Sequence, residues 1–269
     1  MGNANVSVII PHFNAVSSLR NSIKSVLSQT VNVKEIIIID DCSNDFLALI
    51  TILESFGQMV PIQIIRLDVN YGASEARNRG VEIATGKYLA FLDADDVWDP
   101  SKIEIQYTLM EQQNLNISGH LYVQDVTVKS MYSSTLFRTK CILPARFVFG
   151  NPFFTPTVMV KRDNFIPFDK RYRRVDDYKC WLMNIKNKNN NNALILLPLA
   201  GGFKAAIGAS GLTSSLKVMH ESYILVLKDL YYERHVSLVF FILARFFEYV
   251  KYPLRLLRKL ITSFLAINN

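Results

Sequence analysis

The chain has 269 residues, of which 50% are hydrophobic, and a formal net charge of +7. This length and apolar content allow a large core and exclude a disordered chain. Its three cysteines are widely separated and lack a Cys-x-x-Cys pair, which excludes a disulfide framework and a cysteine zinc site and fits a reducing compartment. The N-terminal sequence lacks a basic region before an apolar run, so we expect no signal peptide.

Short apolar runs alternate with helical patterns through the first half of the chain. We predict strands over residues 6–10, 35–39, 62–67 and 88–92, and helices over residues 19–27, 47–56, 73–84 and 101–113. Pro11 is expected to end the first strand, because proline cannot continue a central ladder. The alternation predicts an α/β fold with a Rossmann-type, mostly parallel sheet and helices on both faces.

Carboxylates follow two of the predicted strands. Asp40 and Asp41 follow the second strand, and Asp93, Asp95 and Asp96 follow the fourth. Open α/β sheets bind ligands at the carboxyl ends of their strands. Acidic groups this close repel one another unless a cation lies among them, and oxygen ligands suit Mg2+ or Mn2+. The alternative is a solvated turn that caps the next helix.

The second half has weaker patterning. We predict a partly exposed strand over residues 121–129, short strands at 158–160 and 194–197, and a helix over residues 219–234. Residues 186–192 form a polar, low-complexity loop.

Residues 236–267 combine apolar positions at helical spacing with arginines and lysines, and Pro253 is expected to break the pattern. An apolar face with basic flanks is typical of a helix that lies in a membrane interface, and anionic lipid would attract the basic residues. The basic charge is concentrated here, so we expect an anionic membrane surface and no nucleic acid as partner. A core helix or a dimer helix is the alternative. No apolar stretch is long enough to span a bilayer.

Four segments carry a resemblance to a known family: SVIIPHFN, EIIIIDDCSND, NYGASEARNRG and GKYLAFLDADDVW. In order and spacing they resemble the N-terminal half of family 2 glycosyltransferases with the GT-A fold, and Gly208 to Leu212 resembles members that build bacterial surface polysaccharides such as O-antigen or capsule. The resemblance implies a nucleotide-diphosphate sugar donor, an Asp-x-Asp motif that holds metal and diphosphate, and inversion at the anomeric carbon.

The same resemblance implies a domain layout. A GT-A nucleotide-sugar transferase domain would cover residues 1–217, with a donor-binding half at 1–113 and an acceptor-side half at 114–217. A basic amphipathic helical extension would follow at 218–269.

The resemblance also assigns donor-binding residues. Pro11 and Phe13 would border the nucleobase, and Asp41 would hydrogen-bond to it. Arg77 and Asn78 would line the nucleoside pocket; a solvated helix face is the alternative for Arg77.

Further residues would act on the diphosphate. Asp93 would contact the ribose or a metal-bound water, and Asp95 would ligate the ion, so that the metal site comprises Asp95 and Asp93. Lys204, in a loop at 204–213 that resembles the family's donor-covering loop, could offset charge on the leaving diphosphate.

The resemblance also implies a helix that begins with a second acidic pair, at Asp176. Asp176 and Asp177, with Trp181 further on, match a family layout in which the first acid is commonly Glu. Because a helix N-terminus stabilises an ionised carboxylate, we expect Asp177 to be deprotonated and to act as the general base. The alternative is that both carboxylates only cap the helix.

These interpretations converge on one function: an inverting, metal-dependent transfer of a hexose from a nucleotide-diphosphate sugar, expected to be a UDP-sugar, to a hydroxyl of a lipid-linked oligosaccharide. The protein would be cytoplasmic and peripherally associated with the inner face of the plasma membrane. One alternative is a sugar-nucleotide nucleotidyltransferase, although residues 11–14 lack the Gly-rich, basic loop that cradles a triphosphate. The other is a non-catalytic, membrane-associated glycan-binding module.

Overall fold

Strands and helices alternate in the first half of the computed structural model, which describes residues 3–56, 60–123, 137–187, 191–202 and 215–267. The strands are β1 (Ala4–His12), β2 (Val33–Asp40), β3 (Ile62–Arg66) and β4 (Tyr88–Phe91). The helices are α1 (Val16–Leu27), α2 (Phe46–Glu54), α3 (Ala73–Ile83) and α4 (Lys102–Gln112). The predicted alternation is confirmed, with shifts of one to a few residues at the ends.

Five further strands and three further α-helices complete the described part of the chain. The strands are β5 (Asp96–Trp98), β6 (Ile117–Val123), β7 (Thr139–Lys140), β8 (Met159–Lys161) and β9 (Asn192–Gly202). The helices are α5 (Asp176–Lys186), α6 (Leu216–Tyr232) and α7 (Leu238–Ile267). The strand predicted over 121–129 is observed only as the end of β6; residues 124–136, and the loop at 204–213 with Lys204, lie outside the described residues.

All described strands belong to one sheet, in the order β3-β2-β1-β4-β8-β6-β9-β5, with β7 on β9. The pairs β3-β2, β2-β1 and β1-β4 are parallel, which confirms the predicted core of the fold. Beyond β4 the sheet is mixed: β8 is antiparallel to β4 and β6, while β9 is parallel to β6. The carboxyl ends of β1, β2 and β4 therefore lie at one edge.

The expectation that Pro11 ends the first strand was wrong. Pro11 lies inside β1, where it pairs with Ile39 of β2. The carbonyl of Ile9 accepts a hydrogen bond from the amide of Leu92, and backbone groups two residues apart face the same neighbouring strand. The missing amide hydrogen of Pro11 thus faces the β4 side, where pairing with β1 ends at Ile9. The strand continues because that position needs no donor.

Apolar side chains on the two faces of the sheet form two separate cores. The alternation along β2 shows the division: Ile36 and Ile38 pack with α1 on one face, and Ile37 and Ile39 pack in the core of the other face. All four are fully buried, as expected for a parallel strand covered on both sides.

The last two helices extend the second core. Leu227 and Leu230 of α6 lie in the same apolar cluster as Trp181 of α5. Although α6 packs into this core, the predicted domain boundary at residue 217 stays a prediction. Pro253 does not break α7, which runs through it. Within the described ranges, no helix combines the length and apolarity that crossing a membrane requires.

Candidate active site

The carboxyl ends of β2 and β4 place Asp41 and Asp93 at the same edge of the sheet, on either side of β1. Phe13, which directly follows β1, is 49% exposed there, and Pro11 is partly exposed near the end of the strand. The edge thus combines buried carboxyl groups with accessible apolar surface, as a site for a heterocyclic, phosphorylated ligand would.

Asp41 holds the loop before α3. Its two carboxylate oxygens accept hydrogen bonds from the backbone amides of Tyr71 (2.7 Å) and Gly72 (2.8 Å), and its side chain is almost fully buried. Gly72 has φ of 95°, a region that favours glycine. The sequence prediction assigned Asp41 a contact with the base; the structure shows a loop-holding role and leaves that contact a prediction.

Arg77 of α3 connects two acidic elements. One terminal nitrogen donates to Asp93 Oδ1 at 2.6 Å, and the other lies 3.4 Å from Asp176 Oδ2. Burial acts to lower the pKa of the guanidinium, but the charges of Asp93 and Asp176 outweigh it and the pKa is raised. Arg77 therefore stays charged within the cleft, and a solvated helix face is excluded for it.

Asn78 is not brought into this cluster, because adjacent helix residues point in different directions. Its amide nitrogen donates to the carbonyl of Phe168 (2.8 Å), and its amide oxygen accepts from the Phe168 amide (3.0 Å). Its side chain thus fixes the segment before α5. The predicted nucleoside contact of Asn78 has no support from this position.

The acidic residues after β4 diverge. Asp93 and Asp95 remain partly exposed, whereas Asp96 is buried at the start of β5 and accepts a hydrogen bond from the Tyr122 hydroxyl at 2.7 Å. Burial, together with Asp96, Asp95 and Asp93, raises the pKa of Tyr122, so this hydroxyl remains a donor. Asp96 therefore serves the fold, and Asp93, which pairs with Arg77, lies with the partly exposed Asp95 at the end of β4.

The N-terminus of α5 brings a further pair of carboxylates to the cleft. Val175, which precedes the helix, has φ of 61°, a strained conformation for a β-branched residue. Asp176 Oδ2 accepts from the Ser74 hydroxyl at 2.8 Å as well as lying near Arg77. Asp176 is thereby tied to α3, and the strained turn sets Asp177 beside it.

The pKa of Asp177 differs from the one expected. Burial, together with the charge of Asp176, raises its pKa to about 7, while Arg77 and hydrogen bonds from the Tyr178 amide and the Asn151 side chain act in the opposite direction. The expectation that the helix N-terminus keeps this carboxyl fully ionised was wrong, because burial and Asp176 outweigh the dipole. A carboxyl with this pKa can accept and release a proton near neutral pH.

The carboxylates after β4 suit an ion that is shared with a ligand. Within the described ranges, no group of three His, Cys, Asp or Glu side chains is arranged to hold a metal without further ligands. Mg2+ is commonly bound by one or two carboxylates together with substrate phosphates. Asp93 and Asp95 therefore fit a divalent ion that arrives with a diphosphate.

Three residues of the site were missed from the sequence: Ser74, Tyr122 and Asn151. Each contacts an acidic residue that lies between 26 and 102 positions away along the chain. Asn151 precedes a proline in a turn-like segment, which indicates a loop but does not indicate what its amide contacts. No sequence pattern specifies the other two.

Comparison with solved structures shows the class of fold. The chain superposes on the crystal structure of S. aureus TarS 1-349 in complex with UDP-GlcNAc with a TM-score of 0.64 and 19% identity, covering 86% of this chain and 66% of that one. The fold is thus of the GT-A type, which confirms the predicted fold class. Residues 7–180 match the family described as glycosyl transferase family 2, and the chain belongs to that family. The resemblance carried by the four motifs is confirmed.

Two relatives illustrate the range of similarity. The chain is 31% identical over 194 residues to the UDP-Glc:alpha-D-GlcNAc-diphosphoundecaprenol beta-1,3-glucosyltransferase WfaP of Escherichia coli, covering 69% of this chain and 74% of that protein. It is 34% identical over 192 residues to an uncharacterized glycosyltransferase of Rickettsia felis, covering 69% of this chain but 31% of that protein. This chain thus spans about a third of the length of the Rickettsia felis relative.

Proposed function

We propose that this protein transfers a hexose, with inversion, from a nucleotide-diphosphate sugar to a hydroxyl of a lipid-linked glycan during synthesis of a bacterial surface polysaccharide. A UDP-sugar is the proposed donor. The name of WfaP describes transfer from UDP-Glc to a sugar on a polyprenyl diphosphate, and we extend that class of donor and acceptor to this chain.

One observation carries the proposal: Arg77 joins Asp93, at the end of β4, to Asp176, at the start of α5. This pairing links the donor-side carboxylate Asp93 to the acidic pair at the start of α5, which supports a single site that includes Asp177. Asp177, with a pKa of about 7, would take the proton of the acceptor hydroxyl as that oxygen attacks the anomeric carbon. The nucleotide diphosphate would leave from the face of the anomeric carbon opposite to the attacking oxygen, which inverts the configuration of that carbon.

Asp95 and Asp93 would hold a Mg2+ or Mn2+ ion when the nucleotide sugar is bound. The ion supplies positive charge that stabilises the leaving diphosphate. Arg77 cannot replace it, because both ends of its guanidinium are engaged by Asp93 and Asp176. Phe13 and Pro11 would border the base, and the loop that Asp41 holds would complete that side.

The outer face of α7 supports the proposed contact with an anionic membrane, at the inner face of the plasma membrane. At about 100° per residue, its exposed apolar side chains fall within an arc of about 160° centred on Phe246. They are Leu238, Val239, Ile242, Leu243, Phe246, Tyr249, Val250, Leu254, Leu256, Leu257, Leu260 and Ile261. Arg245 and Lys251 lie on the flanks of this arc.

The opposite face of α7 is fastened to the protein. Glu248 is fully buried and pairs with His220 of α6 (3.4 Å), Lys251 (3.1 Å) and Arg255 (2.8 Å). The ring centroids of Phe247 and Phe149 are 4.6 Å apart, and Phe149 lies two residues before Asn151 of the candidate site. Because this face of α7 packs against the protein, the apolar arc on the other face points to solvent. This orientation suits contact with a bilayer surface.

The catalytic proposal is tested by incubating purified protein with a panel of UDP-sugars, Mg2+ or Mn2+, and a GlcNAc-diphosphate carrying a short alkyl chain. We expect UDP release that depends on metal and acceptor, and NMR should show inverted configuration in the product. Asp95→Ala should abolish metal-dependent UDP binding in calorimetry. Asp163→Ala is the matched control, because its carboxylate is 86% exposed and remote from the cleft. Metal-independent UDP binding, or pyrophosphate release from UTP and a sugar phosphate, would contradict the proposal.

The membrane proposal is tested by flotation with phosphatidylglycerol or phosphatidylcholine vesicles. We expect binding to the anionic vesicles only, and its loss in Val250→Glu. Leu47→Glu is the control, since Leu47 is 81% exposed on α2. If the arc is instead a dimer interface, the wild type will be dimeric by light scattering, Val250→Glu will be monomeric, and neither will float.

A further inference from the structure

The turn that precedes α5 is not stabilised by the helix itself. Val175, at the N-cap position, has φ of 61°, and its apolar side chain cannot accept a hydrogen bond from the free amides of the first helical turn. A β-branched residue in this conformation is strained, and such strain persists only where the surrounding structure holds it. Other residues must therefore fix the turn that places Asp177.

Ser74 of α3 holds this turn incompletely. Its hydroxyl oxygen lies 3.1 Å from the carbonyl oxygen of Tyr172 and 2.8 Å from Asp176 Oδ2, and both of these atoms are acceptors. A hydroxyl has one proton to donate, so Ser74 can hold only one of the two positions at a time. The residues between them depend on a further contact.

Arg173 supplies that contact. Its two terminal nitrogens donate to one residue, Asn70 of the loop before α3, at 3.1 Å to Oδ1 and at 2.9 Å to the carbonyl oxygen. The stem of the Arg173 side chain packs against Gly72, where an added Cβ atom would lie 3.7 Å from Cγ. Two donors in a planar fork fix the orientation of the guanidinium as well as its position.

The partner of Arg173 is itself held from the opposite side. The side-chain amide of Asn70 donates to the carbonyl of Asp41 at 3.3 Å, and the Asp41 carboxylate accepts from the amides of the two residues that follow Asn70. The contacts thus run from the end of β2 through Asn70 to the turn before α5. This path is separate from the one through Arg77, which contacts the Asp176 side chain and not the backbone of the turn.

We propose that Arg173 is a positioning residue for the general base. By holding Asn70, it fixes the turn before α5 and thereby the place of the Asp177 carboxyl relative to the donor. Arg173 takes no part in the proton transfer itself. This inference rests on the proposed function, in which Asp177 is the base, and it names a residue that the reaction needs outside the acidic cluster.

The exposure of Arg173 separates this role from a role in stability. Arg173 lies at the surface, where water can replace its hydrogen bonds, so they contribute little to folding. The pKa of the Asp177 carboxyl, in contrast, is raised to about 7 by burial and by the charge of Asp176. A small displacement of the turn should therefore change the ionisation of Asp177 more than the stability of the fold.

The test compares Arg173→Ala and Arg173→Lys in the transfer assay. Arg173→Ala should lower kcat about tenfold, because a displaced base reacts slowly, while the Kd for UDP stays within twofold of wild type. Its pH–rate profile should move to lower pH, since a displaced Asp177 loses the burial that raises its pKa. Arg173→Lys keeps a donor and should recover part of the rate. Lys170→Ala removes an exposed positive charge from the same segment and should leave kcat and the profile unchanged.

A double-mutant cycle tests whether Arg173 acts through Asn70. Asn70→Ala removes the Oδ1 acceptor and leaves the carbonyl, so its loss of kcat at saturating donor should be smaller than that of Arg173→Ala. The double variant should be no slower than Arg173→Ala alone, because both changes break one contact. Losses that multiply would overturn the proposal.

A second readout does not depend on transfer. NMR of the carboxyl carbon in aspartate-labelled protein, with Asp177→Asn to assign the signal, gives the titration midpoint of Asp177. The midpoint in Arg173→Ala should be lower than in wild type by about half a unit or more. This shift in a protein that does not transfer sugar would support the positioning role and contradict the proposed function. An unchanged midpoint or an unchanged kcat in Arg173→Ala, or a rise in the Kd for UDP equal to the fall in kcat, would overturn the positioning role.

Discussion

Arg77 donates a 2.6 Å hydrogen bond to Asp93, across two elements that the chain builds separately. The Arg77 side chain is 7% exposed and that of Asp93 is 32% exposed. Because the guanidinium also approaches Asp176, it links the end of β4 to the start of α5. This link makes the first half of the sheet and α5 parts of one site.

Arg77→Ala should therefore destabilise the protein strongly. Removal of one partner from a buried ion pair costs about 3–5 kcal/mol, because the remaining charges are left uncompensated. Arg79→Ala is the matched control on the same helix: its guanidinium is 48% exposed and its partner Glu82 is exposed as well, although its other partner, Glu75, is buried. Exposed pairs contribute about 0–1 kcal/mol. Urea unfolding measures both, and equal losses would contradict a structural link through Arg77.

The rate of sugar transfer should depend on the ionisation of Asp177. Its pKa is raised to about 7, and the base acts in its ionised form, so kcat should rise with pH through 7 and fall by about tenfold for each pH unit below 6. A pH–rate profile at saturating donor and acceptor measures this. A flat profile between pH 5 and 8 would exclude Asp177 as the base.

Asn151→Ala should move that profile to higher pH. The Asn151 amide donates to Asp177, which favours the ionised form and lowers the pKa. Without this donor, the apparent pKa should rise by a fraction of a unit to about one unit. Asn164→Ala is the control, since the Asn164 side chain contacts Asn116 outside the cleft. A reduced kcat without any shift in the profile would indicate a purely structural effect.

Asp177→Asn should separate activity from stability. The folded-state pKa of Asp177 exceeds the ordinary value of 3.8, so its contribution to stability is complete below about pH 4 and is lost as pH rises through 7. Asparagine cannot ionise, and the variant should be more stable than wild type at pH 8 by about 1–3 kcal/mol. Transfer should fall at least about 10²-fold. Thermal unfolding at pH 4 and pH 8 provides the test: an equal Tm difference at both pH values would contradict this linkage.

Asp41→Ala should loosen the loop before α3. Two backbone amides, of Tyr71 and Gly72, would lose their acceptor, at a cost of about 1–3 kcal/mol for each buried unsatisfied group. Asp68→Ala is the control, because the hydrogen bonds that Asp68 accepts, from the Val69 amide and the Tyr71 hydroxyl, are in an exposed position. Denaturant unfolding and UDP calorimetry separate the two roles: a loss of UDP binding without destabilisation would show that Asp41 contacts the base.

The parallel half of the fold could be predicted from the sequence because each of its strands has a local apolar pattern. The run of Ile36 to Ile39 is too short for a core helix and is apolar on both faces, which predicts a covered strand. The expectation for Pro11 was wrong because a strand can continue through a proline where the neighbouring strand has already ended, and β4 is shorter than β1. The strands predicted at 158–160 and 194–197 are observed as β8 and within β9, whereas the pairing of β5 to β9 into a mixed sheet follows no local pattern.

The sequence allowed candidate site residues to be named, but it did not allow their contacts and ionisation to be predicted. Asp93 could be chosen from its position after a strand, and Asp177 from the match of the acidic pair and Trp181 to the family layout at the start of a helix. The pKa of Asp177 could not, because it depends on burial and on Asp176 in the assembled cleft. Asn78 lies outside the cluster around Arg77 because adjacent helical residues diverge, and its nucleoside contact stays a prediction. Asn151 was missed since its partner lies 26 residues later.

Gly202, at the end of β9, faces the hydrogen bond between Tyr122 and Asp96, and a Cβ atom built there would overlap both side chains. The three positions form a unit in which bulk added to one must be removed from another. Natural variation at them should therefore be correlated: an alanine or serine at 202 is expected to occur together with a smaller residue in place of the tyrosine or the aspartate. The same reasoning gives protein engineers a rule for remodelling this part of the cleft, namely that the glycine and its two neighbours must be exchanged together.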